Sequence, residues 1–273
     1  MRGANVVRVE PSDVMNRPAE QPDAVLRYGS HAEAIIDIHL PPRAVTGPRP
    51  PSPLVVFFHG GFWRVEYDRT LFRPIANALA QNGFVVATPE YRRVGGPGNL
   101  AGGWPTTFDD VSAAMGSLPG LLEELGIAVT RTTVMGHSAG GLLALWLANE
   151  DYPIDSVVGL APVGDLRAAV AAATGGSAVP DLLGGSPSQV PEVYDAADPA
   201  TRFATRPRCD VAIIHGKDDQ DVPIANSLGL ESAYPFIVMA ALEGIEHFGL
   251  IDPLSAAWPV VLAAAGAQAV DLG

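Results

Sequence analysis

The chain has 273 residues, 48% hydrophobic and 17% charged, and is long enough to bury a substantial apolar core in a single large domain. Its formal net charge of −13 disfavours nucleic acids and anionic membrane surfaces as partners, because like charges repel. Cys209 is the only cysteine, which excludes an internal disulfide, a CxxC redox pair and a cysteine-rich zinc site.

The first residues of the chain contain no apolar stretch of the kind that a secretory signal needs. No run reaches the roughly 18 consecutive apolar residues that a membrane-spanning helix requires. We therefore expect a soluble, cytoplasmic protein.

Short apolar runs rich in Val and Ile alternate along the chain with longer segments of helical spacing. In chain order, the predicted elements are a half-buried strand at 34–40, a proline-rich loop at 44–53, strand 54–58, helix 71–81, strand 84–88, helix 105–125 with Pro119 as a candidate break, strand 132–135, helix 139–149, strand 156–160, helix 166–173, strand 211–215, strand 235–240 and helix 254–270. Parallel strands require such crossovers, so the alternation predicts a wound parallel sheet with helices on both faces. Since no internal repeat is present, we expect a single domain over 1–273.

One connection is much longer than the others. About 50 residues separate the predicted strands 156–160 and 211–215, whereas such connections are usually short. Beyond the predicted helix 166–173, this stretch contains two glycine pairs and several prolines. We interpret the part at about 163–205 as a lid or cap inserted over a functional site.

The pattern G-x-S-x-G occupies residues 136–140. In this pattern a serine stands at the tip of a tight strand-to-helix turn, so the residues two before and two after it must be small. Gly136 and Gly140 meet that need, a strand is predicted before them and a helix after them. The pattern therefore predicts Ser138 as a nucleophile, with the N-terminus of the following helix favouring a developing oxyanion.

A second motif, HGGFW at 59–63, directly follows the predicted strand 54–58. Glycines at this place let the backbone approach a substrate and turn its N–H groups inward, as in the HGG-type loops of lipases and esterases. We expect the N–H groups of Gly61, Phe62 and Ala139 to form an oxyanion hole. A plain glycine turn is the alternative, and the serine motif downstream disfavours it.

The acid that completes a catalytic triad is expected after a later strand, where GKDDQDVP occupies 216–223. In the common form of this turn, HGxxDxxVP, the acid stands three residues after the glycine, which is Asp219. Asp218 and Asp221 would then be solvated loop or helix-capping residues. The base is expected after the last strand, where His247 lies in EGIEHF at 243–248. An imidazole there would accept the serine proton while the aspartate fixes its tautomer.

The other histidines have simpler interpretations. His59, His137 and His215 lie at strand ends near the predicted site, and we expect each to be a structural hydrogen-bonding residue rather than a base. His31 and His39 lie near the N-terminal strand and are expected to take no part. No histidine pair has the HExxH spacing and no glycine-rich loop is followed by GK[ST], so we expect neither a metal nor another cofactor.

Four segments together resemble the α/β-hydrolase superfamily: HGGFW at 59–63, GHSAGG at 136–141, HGKDDQDVP at 215–223 and EHFGLIDP at 246–253. Within it they look most like the kynurenine formamidases and the hormone-sensitive-lipase-like esterases. The HGG-aromatic-Trp form resembles the formamidases, since lipase-like members usually carry a third glycine where this chain has Phe62. EYR at 90–92 resembles the DYR segment of the esterases, with Glu90 in place of Asp. The resemblance runs from about residue 33 to the end.

The resemblance implies the α/β-hydrolase fold, with a mostly parallel central sheet, helices on both faces and a lid insertion. It also implies hydrolysis of a carboxylic ester or a small activated amide, such as an N-formyl group, through an acyl-Ser138 intermediate. We expect Phe62, Trp63, Trp104 and His137 to contact the substrate together with the lid, and ordinary packing is the alternative for the aromatic residues.

Two other classes of function stay open, because a fold does not fix a reaction. The first is a non-hydrolytic enzyme of a natural-product pathway that carries out acyl transfer, cyclisation or isomerisation. The second is a non-catalytic ligand-binding module, which is less favoured because all three triad residues are present. We expect a small-molecule substrate, neither nucleic acid nor membrane as a partner, and a monomer or homodimer.

Overall fold

The computed structural model describes residues 11–42 and 49–266. One eight-stranded sheet lies at its centre, with the order β1-β2-β4-β3-β5-β6-β7-β8. The strands are β1 (Ala24–Arg27), β2 (Ile35–His39), β3 (Ser52–Phe58), β4 (Val85–Pro89), β5 (Val129–His137), β6 (Ser156–Leu160), β7 (Asp210–Gly216) and β8 (Ile237–Leu242). Only β1 and β2 pair antiparallel with their neighbours, and the other six strands run parallel. The predicted fold class is confirmed.

Helices cover both faces of the sheet. They are α1 (Pro11–Met15), α2 (Arg73–Gln81), α3 (Thr106–Glu124), α4 (Ala139–Leu147), α5 (Leu166–Ala171), α6 (Ala178–Leu183), α7 (Pro191–Ala197), α8 (Pro199–Arg202), α9 (Ala225–Ala233) and α10 (Trp258–Ala264). Side chains of β3 alternate between two apolar clusters, with Val56 and Phe58 in one and Val55 and Phe57 in the other. A strand that is covered on both faces therefore carries a continuous apolar run. Within the described residues, no helix is both long and apolar enough to cross a membrane.

The second strand is buried on both faces, so the prediction of a half-buried strand is wrong. Ile36 and Ile38 enter the core, and the alternating Asp37 is also fully buried. The Asp37 carboxylate accepts two hydrogen bonds of 2.9 Å, one from Arg69 Nε and one from Arg73 Nη2. The alternation of polar and apolar residues thus marks a buried ion-pair network rather than a solvated face.

The structure corrects two predictions about helices. Pro119 does not break α3, which runs without interruption from Thr106 to Glu124. The last helix was expected over 254–270, but α10 begins only at Trp258, where Pro259 occupies the first turn and favours a helix start. Residues 254–257 form a turn before it, and 267–270 lie outside the described residues.

The insertion between β6 and β7 folds into four short helices, α5 to α8. Asp198 links the first and the last of these helices. Its buried side chain accepts hydrogen bonds from the backbone N–H groups of Leu166 in α5 and Ala200 in α8, at 3.1 Å each. These contacts cap the first turns of α5 and α8 with one carboxylate. The role of this segment as a lid stays a prediction.

Candidate active site

Ser138 stands at the tip of the turn between β5 and α4, in the strained conformation that its motif predicts. Its backbone angles are φ 55° and ψ −117°, a region that residues other than glycine rarely occupy. Two backbone bonds hold the turn: the Ser138 N–H donates to the Leu160 carbonyl at 2.8 Å, and the Ser138 carbonyl accepts from Gly141 at 3.0 Å. This conformation places Ser138 between β5 and α4, at the carboxyl ends of the parallel strands.

The two glycines of the motif have no room for a side chain. A Cβ atom on Gly140 would overlap the backbone carbonyls of Phe58 and His59, and a Cβ atom on Gly136 would overlap the backbone of Gly140. Because rigid backbone surrounds both positions, neither overlap can be relieved by a side-chain rotation. The close approach of α4 to β3 therefore depends on glycine at 140.

We expect Gly140→Ala to lower the free energy of unfolding by about 3 kcal/mol or more, since the added methyl meets backbone atoms. The matched control is Gly120→Ala in α3, where a Cβ atom would meet nothing within 4 Å. That exposed helical position should gain up to about 1 kcal/mol. Urea denaturation of both variants measures the difference, and equal stability of the two would contradict this account of the turn.

The structure brings Asp219 and His247 together. The His247 Nδ1 atom lies 2.7 Å from Asp219 Oδ2, so Nδ1 carries the hydrogen and donates it to the carboxylate. The other carboxylate oxygen accepts N–H bonds from Asp221 at 2.9 Å and from Val222 at 2.8 Å. This tautomer leaves Nε2 of His247 as a proton acceptor.

A second histidine keeps Asp219 ionised. His215 Nε2 lies 3.3 Å from Asp219 Oδ2, and both side chains are fully buried. Burial alone would raise the pKa of Asp219, but hydrogen bonds from His215 and His247 outweigh it and hold that pKa well below its ordinary value. His215 is itself fixed by Ser227, whose hydroxyl lies 2.7 Å from its Nδ1.

His137 supports the backbone of His247 rather than binding substrate. Its Nε2–H donates to the His247 carbonyl at 3.0 Å, and the two imidazole rings lie 4.4 Å apart. Burial, together with the neighbouring His247, lowers the pKa of His137 well below its ordinary value, so the ring stays neutral. Its exposed fraction is 1%, which corrects the expectation of a substrate contact.

The side chains of Ser138 and His247 lie at adjoining loops but are not joined by a hydrogen bond among the described residues. Catalytic hydrogen bonds are often long without substrate and shorten when it binds. Both residues are nearly buried, with exposed fractions of 3% and 4%.

The loop after β3 has three successive residues in left-handed conformation: φ is 110° at Gly61, 52° at Phe62 and 55° at Trp63. Turns of this kind gather backbone N–H groups into an anion-binding concavity. Among the described residues, the N–H groups of Gly61, Phe62 and Ala139 donate no hydrogen bond to the chain. The three donors expected for an oxyanion hole therefore have no acceptor within the described part of the chain, and their role stays a prediction.

Trp63 is a clamp for this loop and not a substrate contact. Its side chain is fully buried, and its indole N–H donates to the Ala139 carbonyl at 3.0 Å. This bond ties the loop to the first turn of α4. The expectation that Trp63 contacts substrate is corrected accordingly, because no surface of its ring is open.

Phe62 and Trp104 are half-buried and both contact the insertion. The Phe62 ring packs so closely on Gly175 that a Cβ atom there would overlap it. The backbone N–H of Trp104 donates to the Leu182 carbonyl at 2.7 Å, and the Trp104 ring packs on Phe108. Within the described ranges, no group of three or more His, Cys, Asp or Glu residues is arranged to hold a metal ion.

The chain is similar to a known family and to several solved structures. The family model BD-FAE matches residues 36–234. A truncated carbohydrate esterase from gut microbiota is similar in structure, with a TM-score of 0.74 and 18% identity, covering 90% of this chain and 98% of that one. Esterase B from Lactobacillus rhamnosis, inhibited by a tributyrin phosphonate, has a TM-score of 0.69 at 18% identity and coverages of 90% and 84%. Thermogutta terrifontis esterase 2, phosphoramylated by tabun, has a TM-score of 0.67 and 22% identity, covering 91% of this chain and 95% of that one. At these identities the likeness shows a common fold. None of the curated proteins matches the chain significantly in sequence.

Proposed function

Since the chain belongs to the BD-FAE family of α/β-hydrolase-like proteins, we propose that it is a serine esterase that cleaves a carboxylic ester through an acyl-Ser138 intermediate. One observation carries the proposal. A strained serine and three N–H groups without a partner in the described chain lie at the same edge of the sheet as a histidine whose Nδ1–H is donated to a buried, ionised aspartate. Structural neighbours described as esterases support it.

In this proposal, His247 Nε2 accepts the proton of the Ser138 hydroxyl as its oxygen attacks the ester carbonyl. The developing oxyanion accepts hydrogen bonds from the N–H groups of Gly61, Phe62 and Ala139. The imidazolium formed at His247 is stabilised by Asp219 and then gives its proton to the leaving alcohol. Water, activated by the same imidazole, releases the acid from Ser138.

A second candidate is the hydrolysis of an N-formyl aryl amide. The HGGFW sequence favours it, and the half-buried ring of Phe62 in this loop suits a planar group. Trp63 lends no further support, because its ring is buried. The same triad and the same N–H groups would serve both reactions, so the acyl group and the leaving group distinguish the two candidates.

A substrate panel tests the proposal. We expect release of acid and alcohol from p-nitrophenyl acetate, p-nitrophenyl butyrate or an acetylated xyloside, with N-formylkynurenine measured beside them. Mass spectrometry shows whether the products together gain one water. Products without that gain would favour acyl transfer or isomerisation, and tight binding without turnover would favour a binding module. Faster cleavage of N-formylkynurenine than of any ester would favour the formamidase candidate.

A further inference from the structure

A buried carboxylate lies beneath the loop that carries the free N–H groups. Glu90 follows β4 and has no exposed surface. Its Oε1 atom is 2.9 Å from His59 Nε2 and 3.1 Å from the Tyr91 N–H, while its Oε2 accepts the Arg69 N–H at 2.9 Å. Arg93 lies 3.4 Å from the same carboxylate. Each of these neighbours is a donor, so the carboxylate is ionised.

The hydrogen-bond partners of His59 define its protonation. Its Nε2 faces the Glu90 carboxylate, and its Nδ1 lies 2.8 Å from the Gly60 carbonyl. The Tyr91 hydroxyl is 3.4 Å from Nδ1, but its one hydrogen is donated to the His59 carbonyl. The carboxylate and the Gly60 carbonyl are acceptors, and an acceptor requires a hydrogen on the atom that faces it. A neutral imidazole has only one hydrogen to give, so the geometry requires a doubly protonated ring with one positive charge.

The surroundings of His59 suit such a charge. The Tyr91 ring stacks on the imidazole with centroids 4.4 Å apart and planes within 9°. An aromatic face at this distance attracts a cation. The Tyr91 hydroxyl also donates to the His59 carbonyl at 2.8 Å, which fixes the main chain at the start of the loop. Burial alone would raise the pKa of Glu90, but the charge on His59 and the donated hydrogen bonds lower it.

We propose that Glu90 is a positioning residue that keeps His59 as an imidazolium and so holds the Gly60 carbonyl away from the oxyanion hole. A peptide group has its C=O and N–H on opposite sides. When the His59 Nδ1–H holds the Gly60 carbonyl, the N–H of Gly61 is therefore turned the other way, toward the site. This inference rests on the proposed function, because it gives the loop a catalytic purpose.

Other charged groups near His59 belong to the same network. Arg93 and Arg69 approach Glu90 from the two segments on either side of it. The Asp68 carboxylate adds a negative charge: burial alone would raise the pKa of Asp68, but hydrogen bonds from Thr70 and the charges of His59 and Arg93 lower it. Phe72 covers the other side of the imidazole, with ring centroids 5.6 Å apart. Water has no access to the pair, so the charge on His59 depends on its protein partners.

The charge is measured directly in the wild-type protein by nitrogen-15 NMR of the histidine rings. His59 is assigned through its contacts with the Tyr91 ring. Because both ring nitrogens face acceptors, we expect both ring nitrogens of His59 to carry hydrogen. A single protonated nitrogen would overturn the proposal. This readout does not depend on any esterase activity.

Two substitutions separate charge from shape. Glu90→Gln keeps the size but removes the charge, and we expect kcat to fall about 100-fold with KM changed less than about threefold. Glu90→Asp keeps the charge and should be at least about tenfold more active than the glutamine variant. The matched control is Asp37→Asn, which removes another buried carboxylate that is paired with Arg69 but forms no hydrogen bond or ion pair with His59 in the described part of the chain. Its Tm should fall while kcat stays within about threefold of the wild type.

The outcomes are distinct. Wild-type kcat in Glu90→Gln, or an aspartate variant less active than the glutamine variant, would overturn the proposal. An equal loss in Asp37→Asn would show a general effect of the network and would also overturn it. If the wild type cleaves no ester, the proposed function fails, and the amide shifts of Gly61 and Phe62 in Glu90→Gln still report whether the loop has turned.

Discussion

Replacing Ser138 by Ala should lower kcat/KM for the best ester by about 10⁴-fold or more, the largest effect that we expect from one substitution. In the proposed reaction the hydroxyl forms the acyl intermediate, and the alanine variant keeps the three N–H groups that have no partner in the described chain. A small residual rate from these groups is therefore expected. Alanine carries the same Cβ atom as serine and is no more strained in the tight turn, so the variant should fold with an unchanged Tm.

The control for this substitution is Ser117→Ala, which removes a hydroxyl from α3 away from the turn and should retain full activity. Progress curves with the substrate found in the panel measure both variants. Turnover in Ser138→Ala at more than about a tenth of the wild-type rate would show that another residue carries the reaction.

Asp219→Asn is expected to reduce kcat by about 10⁴-fold while the fold is retained. An asparagine can present its NH₂ group to His247 Nδ1, and this would place the imidazole hydrogen on Nε2. An imidazole with hydrogen on Nε2 cannot accept the serine proton at that atom. Asp218→Asn and Asp221→Asn are the matched controls, and both should stay within about threefold of the wild type. A larger loss in either control would assign the acid to that neighbour.

The same substitution has a consequence for stability. Because the pKa of Asp219 is lowered in the folded state, its carboxylate stabilises the protein above the unfolded pKa of about 4, and this contribution is lost as the pH falls further. Asp219→Asn should therefore weaken the acid dependence of the free energy of unfolding. Urea titrations between pH about 2 and 6 measure it, and an unchanged slope in the variant would contradict the account.

The sequence predicts most of the sheet and the place of the site, because both depend on local rules. Apolar runs covered on two faces identify β3 to β7, and steric exclusion at Gly136 and Gly140 identifies the turn at Ser138. The spacing of Asp219 from its glycine is also local. Its 2.7 Å distance to His247 follows once both loops lie at the same edge of the sheet. The catalytic roles of these residues stay predictions.

What the sequence does not reveal depends on contacts between distant segments. Trp63 resembles a substrate contact because aromatic residues follow the HGG motif, but its partner, the Ala139 carbonyl, lies 76 residues away. The polar residues of β2 resemble a solvated face, because the arginine partners of Asp37 lie on other elements. Buried polar networks of this kind leave no periodic signal, and only coordinates reveal them.

The central claim is that Ser138 is an activated nucleophile beside an open oxyanion hole. Incubation with a fluorophosphonate probe, followed by intact mass and peptide mapping, tests it without knowledge of the substrate. We expect one adduct on Ser138 in the wild type and none in Ser138→Ala. An unlabelled wild type, or equal labelling of the variant, would contradict the claim.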